Sequence, residues 1–203
     1  PAEFTAGAAD ASLLADWLVV SEIMYNHPDG PQLDWIELTN VHASASLPLD
    51  GVHFADGIVW SHEDGALLAP GQSVVLAADA VAFQAKYGTA PFWTFTGQLA
   101  NDGERLTLRL GLDSVLLDFA YDDDAPWPTA ADGTGASLVL VRPDLRPDPA
   151  DPFSWRASVA AGGTPGSVGG DAVAFTGPPA SPVTYALGDA PVVTFSVTDA
   201  GLG

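Results

Sequence analysis

Glu104-Arg105-Leu106-Thr107-Leu108-Arg109-Leu110 sets three leucines on one face and Arg105, Thr107 and Arg109 on the other. This period of two marks a half-buried β-strand. Ser114 to Tyr121 repeats it, with Val115, Leu117, Phe119 and Tyr121 on one side and Asp118 on the other, and Gly111-Leu112-Asp113 between them reads as a hairpin connection. One face of the pair seeks a core and the other seeks water, so an antiparallel hairpin is predicted here.

Working outward, apolar alternation bounded by Gly, Asp, Asn or Pro predicts further strands at Leu18 to Tyr25, Asp34 to Asn40, Val52 to Ala55, Ile58 to Trp60, Gln72 to Ala78 and Ser137 to Val141. In Asp34 to Asn40, Ile36 and Leu38 are expected to face the core, with Trp35 and Glu37 facing outward or toward an edge. Short strands so closely spaced favour an antiparallel sandwich over a parallel α/β sheet. One helix is predicted, Asp79 to Tyr87, with Asp79 as N-cap and Gly88 as its stop, plugging an end of the sandwich. After Arg142, the prolines at 143, 147 and 149 lack amide donors for a ladder and predict an extended surface loop that Trp155 anchors. Gly162-Gly163-Thr164-Pro165-Gly166 then ends the domain.

These readings divide the chain into an N-terminal extension (1–17), a sandwich domain (18–166), a linker rich in Gly, Ser and Pro (167–183) and the start of a truncated second β domain (184–203) around a Gly188-Asp189 turn. With 203 residues there is room for one core plus part of another. The 47% hydrophobic and 16% charged residues exclude a disordered chain, and 21 Gly and 17 Pro supply the many turns of a β protein.

Six Lys+Arg against 26 Asp+Glu leave a net charge of -20, which repels phosphate backbones and anionic lipid. Nucleic acid is therefore not an expected partner, and a single lysine, Lys86, with five scattered arginines makes no basic stripe. The absence of cysteine excludes disulfides, zinc-thiolate sites and cysteine nucleophiles. Leu13 to Val20, interrupted by Asp16, is too short to span a bilayer and has no basic region before it, so neither membrane insertion nor a signal peptide is expected. A start at Pro1 suggests a mature chain or a piece of a longer one.

Three stretches resemble the bacterial lamin tail domain: Val20-Ser21-Glu22-Ile23-Met24-Tyr25-Asn26, Asp34-Trp35-Ile36-Glu37-Leu38-Thr39-Asn40, and Leu68-Ala69-Pro70-Gly71-Gln72-Ser73-Val74-Val75-Leu76. The likeness continues through Leu99 to Leu108 and Tyr121 to Pro128, covering residues 18 to about 166 in order. It implies an all-β, immunoglobulin-like antiparallel β-sandwich and a module of large exported proteins rather than an activity. The expectation is a non-catalytic adhesion, spacer or protein-interaction module, secreted or on the cell surface. Its partners would be other domains of the same chain, a cell-surface protein or a glycan. In animal lamins the comparable domain binds nuclear partners including nucleic acid, from which the charge of this chain departs.

Candidate chemistry is sparse. His27, His42, His53 and His62 form no His-x-His or His-x-x-x-His pair and read as solvated loop histidines rather than zinc ligands. No Gly-x-Ser-x-Gly elbow supports a Ser-His-Asp hydrolase, and an acid pair for glycoside hydrolysis has no marking spacing among 26 acids. The glycine run at 162–166 lacks the Lys-Ser/Thr ending of a phosphate loop.

Asp122-Asp123-Asp124, with Asp132 across a Pro/Gly-rich loop, is the sharpest cluster. Hard oxygen ligands on a loop suit calcium, no other cofactor being expected, although a solvated acidic turn has the same composition. Trp127 between Pro126 and Pro128, and Trp35, offer two readings, a ring that stacks on a sugar or a plug over a sandwich edge. Trp60 offers the same two, while Trp93, in Phe92-Trp93-Thr94-Phe95, lies in a run too apolar for open solvent. The rival function is accordingly a calcium-assisted carbohydrate-binding module attached to an enzyme.

Overall fold

A computed structural model describes residues 11–63 and 65–167, all within the first of the two units into which the chain divides, Pro1–Asp171. The expected linker beyond Ser167 and the expected second β segment at 184–203 lie outside the described residues. Helix α1 (Ala11–Trp17) leads into β1 (Leu18–Met24), β2 (Trp35–Asn40), β3 (Leu47–Pro48), β4 (Val52–Asp56), β5 (Trp60–Ser61), β6 (Leu67–Leu68) and β7 (Ser73–Ala77). Helix α2 (Ala80–Tyr87) follows, and then β8 (Trp93–Thr94), β9 (Glu104–Leu110), β10 (Ser114–Tyr121), β11 (Leu138–Leu140) and β12 (Trp155–Ala157).

The chain is mostly β. Six strands form one sheet in the order β12-β11-β1-β2-β7-β8, four form another in the order β10-β9-β4-β5, and β3 pairs with β6. Both sheets contribute to one apolar cluster: Ile23, Ile36, Leu38, Leu76 and Leu138 from the first meet Phe54, Leu106, Leu108 and Phe119 from the second. Each such fully buried aliphatic or aromatic side chain stabilises the fold by roughly 1.5–3 kcal/mol. The β9–β10 hairpin forms as expected, with Arg105 outward, ion-paired to Asp118.

Several local expectations change. The ladder is not wholly antiparallel, since β8 runs parallel to β7 with Leu76 opposite Trp93. The N-terminal extension contains a second helix, α1, whose Leu14 is fully buried against the core. In β10 the register shifts between Val115 and Leu117, so the extra residue Leu116 turns inward while Val115 stays exposed. A bulge of this kind reverses a face that strict alternation would have kept. The proline-bearing stretch after Arg142 is not fully extended, because Pro143–Leu145 winds into a 3-10 turn between Arg142 and Arg146, both at positive φ. Trp155 does anchor it, its indole N–H donating to the Pro149 carbonyl at 2.9 Å.

Helix α2 is capped as its sequence dictates: the Asp79 side chain accepts from the Val81 and Ala82 amides, and Gly88 closes it at φ 75. It does not plug an end. Phe83, with Tyr87 beside it, packs on Met24, Trp35, Val75 and Ala77, on the face of the six-stranded sheet turned away from the main core. Strands β1 and β2 are therefore buried on both sides throughout their length.

Candidate functional site

The two-sided burial of β1 and β2 has a chemical consequence at their centre. In β1 the register shifts between Val20 and Glu22. Without that bulge the alternation begun by Leu18 and Val20 would carry Glu22 toward the core and Ile23 away from it. With it, Ile23 and Tyr25 join the main cluster and Glu22 lies directly opposite Glu37 of β2, on the side covered by α2. Both glutamates are fully buried, although like charges directly opposite each other on adjacent strands are unfavourable.

The segment after β12 supplies what this pair needs. Thr164 donates its amide to Glu22 Oε1 and its hydroxyl to Glu22 Oε2, both at 2.8 Å, and the Ser137 hydroxyl donates to Oε1. The Gly166 amide donates to Glu37 Oε2 at 2.7 Å, and Ser21 Oγ lies 2.6 Å from Glu37 Oε1. A chain of hydroxyls continues from Ser21 to Thr39 at 2.7 Å and on to Ser73 at 2.6 Å. On the α2 side, the Trp35 indole donates to the Tyr87 hydroxyl at 3.0 Å, which donates to the Gly162 carbonyl at 2.8 Å. Gly163 sits at φ 75, where a Cβ would lie 2.6 Å from Glu22 Oε1 and 2.7 Å from Trp35 Cζ2. Only glycine lets this strap approach so closely.

Burial pushes the Glu37 carboxyl up to about 7, with Glu22 adding to the rise and the Ser21 and Gly166 donors acting against it. These glutamates carry no recognisable motif. The available signal was Ser21-Glu22, two consecutive polar residues inside the apolar run Leu18 to Met24, which is the composition of a bulge. The glycine run read as a plain domain exit is the strap over this pair.

The acidic loop lies elsewhere. Asp122, Asp123 and Asp124 each offer a carboxylate oxygen within 4.8 Å of the others. Asp132 is not in that close group, but Asn26 Nδ2 donates to Asp132 Oδ1 at 2.7 Å. Burial raises the Asp123 carboxyl above its usual range, and the Asp124, Asp132 and Asp122 charges add to this. Beneath the loop, the Tyr25 ring packs 4.9 Å from that of Tyr121. The Tyr25 hydroxyl is buried without a partner, and burial, followed by the charges of Asp132, Asp123 and Asp122, pushes its pKa up. Asp34 is also fully buried with neither oxygen partnered. Burial lifts it to about 7; the His27 amide, close by but forming no hydrogen bond with either oxygen, pulls weakly the other way.

Trp35, Trp60 and Trp127 are all buried. Trp35 is fully enclosed rather than outward-facing, because α2 and the strap cover its face of the sheet, and Glu37 beside it is buried for the same reason. Trp127 is 9% exposed and lies 6.2 Å from Trp155, which in turn stacks on Phe119. This is the plug over a sandwich edge. Trp60 is likewise buried, near Trp93 on the other edge. Phe92 departs from its expected shelter, 57% of it being exposed.

His27 and His62 are buried rather than solvated, and ring nitrogens of the histidines serve the local backbone. His27 Nδ1 accepts from the Asp29 amide, His42 Nδ1 from those of Ser44 and Ala45, and His62 Nε2 from that of Ala66. Burial first, and Lys86 second, lowers the His27 pKa. Among the described residues, no helix is long and apolar enough to cross a membrane. Comparison with protein-family models, curated proteins and solved structures finds no match to this chain.

Proposed function

We propose that this chain is a non-catalytic adhesion, spacer or protein-interaction module of a multidomain exported bacterial protein, built on an immunoglobulin-like sandwich of the lamin-tail kind. The observation that carries this reading is the strap. Residues 164 and 166, where the chain leaves the domain, are bonded to the two central strands by buried carboxylates. A module that passes the chain onward benefits from an exit fixed to its most protected strands. The clasp carboxylates are engaged by these structural donors, and no nucleophile-base-orienter arrangement accompanies them. Fractionation of the natural host tests the reading. The protein should be found at the cell surface or in the medium, without turnover of ester, phosphate or glycoside substrates, and a cytoplasmic location or a measurable turnover would overturn it.

A second reading gives the domain a calcium ion at Asp122, Asp123 and Asp124, with Asp132 held close by Asn26. Three converging carboxylates beside the unpartnered Tyr25 hydroxyl favour it, since calcium accepts irregular sets of oxygen ligands. Millimolar calcium should then raise the melting temperature by several degrees relative to a chelator, through the linkage of binding to folding. An unchanged melting temperature would exclude it. The carbohydrate-binding form of this reading loses its two candidate rings, since Trp35 and Trp127 are buried.

A further inference from the structure

We propose that the strap is a proton-operated latch: a proton held on Glu37 keeps Thr164–Gly166 closed over the carboxylate pair, and loss of that proton opens the exit of the domain. The hydrogen bonds divide the two acids unequally. Glu22 is met by donors, the Thr164 amide, the Thr164 hydroxyl and the Ser137 hydroxyl, a set that suits a carboxylate. Glu37 also has donors, the Gly166 amide on Oε2 and, on Oε1, Ser21 Oγ at 2.6 Å and Thr39 Oγ1 at 3.4 Å, but the hydroxyls on Oε1 continue as a chain from Ser21 through Thr39 to Ser73. Hydroxyls donate or accept as required, so a proton on Oε1 can be passed as a hydrogen bond to Ser21, from Ser21 to Thr39 and from Thr39 to Ser73. The opposed pair can thus carry one negative charge in place of two, which spares it the cost of facing like charges across the strands.

When Glu37 loses its proton, two buried charges face each other across β1 and β2. The low-cost way to hydrate them is to lift the strap, which is attached by the Thr164 and Gly166 donors and the Tyr87–Gly162 bond. Strands, α2 and the stretch before β11 cover the remaining sides. From β1 the facing groups are Glu22 and Ser21, from β2 Thr39, from β7 Ser73, from the stretch before β11 Ser137, and from α2 Tyr87. The Tyr87 hydroxyl is raised to about 12 by burial first, with Glu22, Asp29 and Asp34 adding to it. Lys86 of α2 is paired with Asp29 at 2.8 Å.

The sign follows from proton linkage. Burial lifts the closed-state Glu37 carboxyl from its ordinary 4.5 to about 7 against the pull of the Gly166 donor, and opening the strap lets water return it part of the way. Between those values closure weakens by up to about tenfold per pH unit, and below them the latch is fully closed. This inference concerns a motion within the domain and does not depend on the proposed module function.

Amide hydrogen exchange on the full chain tests it. After correction for intrinsic exchange, protection of the Thr164 and Gly166 amides should fall by more than about tenfold from pH 5 to pH 8, while that of the Leu38 amide in β2 changes far less. Glu37→Gln, which keeps an acceptor for Gly166 and a donor for Ser21, should abolish the difference. Equal protection at both pH values, or a pH dependence that survives in Glu37→Gln, would overturn the latch. A carbonyl NMR titration of the unsubstituted protein gives an answer even if the variant does not fold: Glu37 should titrate near 7, and a midpoint below 5 would refute the proposal.

Discussion

The two faces of β1 and β2 solve the same problem with opposite chemistry. Toward the four-stranded sheet they present Ile23, Ile36 and Leu38, packed among other hydrocarbons. On the other face they present Met24 and Trp35 to α2 but Glu22 and Glu37 to the strap, with Ser21 and Thr39 beside them, and both glutamates are fully buried. The apolar face depends on area removed from water, which is non-directional and indifferent to pH. The polar face depends on particular donors at particular distances, and a buried acceptor that loses its donor leaves a cost of about 1–3 kcal/mol. A sheet can therefore be sealed on both sides while only one side responds to protons. Burial alone does not tell the two apart.

The largest effect is expected on the hydrocarbon side. Leu38→Ala should cost about 3 kcal/mol in urea denaturation, and that loss should be the same at pH 5 and pH 8. A strongly pH-dependent loss would mean that the two faces are not independent.

Next comes the strap, where two glycines at similar φ differ in surroundings. A Cβ at Gly163 meets Glu22, Trp35 and Ser137 below 3 Å, whereas one at Gly166 meets nothing within 4 Å. Gly163→Ala is expected to lose about 2–3 kcal/mol and Gly166→Ala about 1 kcal/mol, the latter from backbone strain alone. Equal losses would show that the strap does not press on the carboxylate pair.

Asp34 sharpens the comparison further, being an acid at the end of β2 whose oxygens have no partner. Its folded pKa is raised from 3.8 to about 7, so the native state is progressively penalised as pH rises through that window. Asp34→Asn should stabilise the protein by about 2 kcal/mol at pH 8, with the gain shrinking toward pH 4. A gain that does not vary with pH would place the effect in packing.

Much of the fold was legible in the sequence because its signals are local. The alternation in Glu104 to Leu110 defined β9, and Asp79 and Gly88 bracketed α2 through contacts made within the helix itself. The acidic loop was visible because its carboxylates are adjacent in the chain. Where the reading failed, a non-local term had intervened. The pattern sets Trp35 and Glu37 outward or toward an edge because a strand pattern shows that a face exists and not what will cover it. Val115 was assigned to the core because the bulge at Leu116 is set by pairing with β9. His27 and His62 read as solvated loops, but the surrounding chain closes over them.

The β class, the hairpin, the capped helix and the strongly acidic composition follow from the sequence alone. Each follows from neighbouring residues or from summed composition. Only the tertiary structure decided that Glu22 would meet Glu37 and that Thr164 and Gly166, 142 and 129 residues further along the chain, would supply their donors. The reason is physical: a bulge changes which face a residue occupies, and a carboxylate selects its donors by distance in space, which the order of residues does not encode.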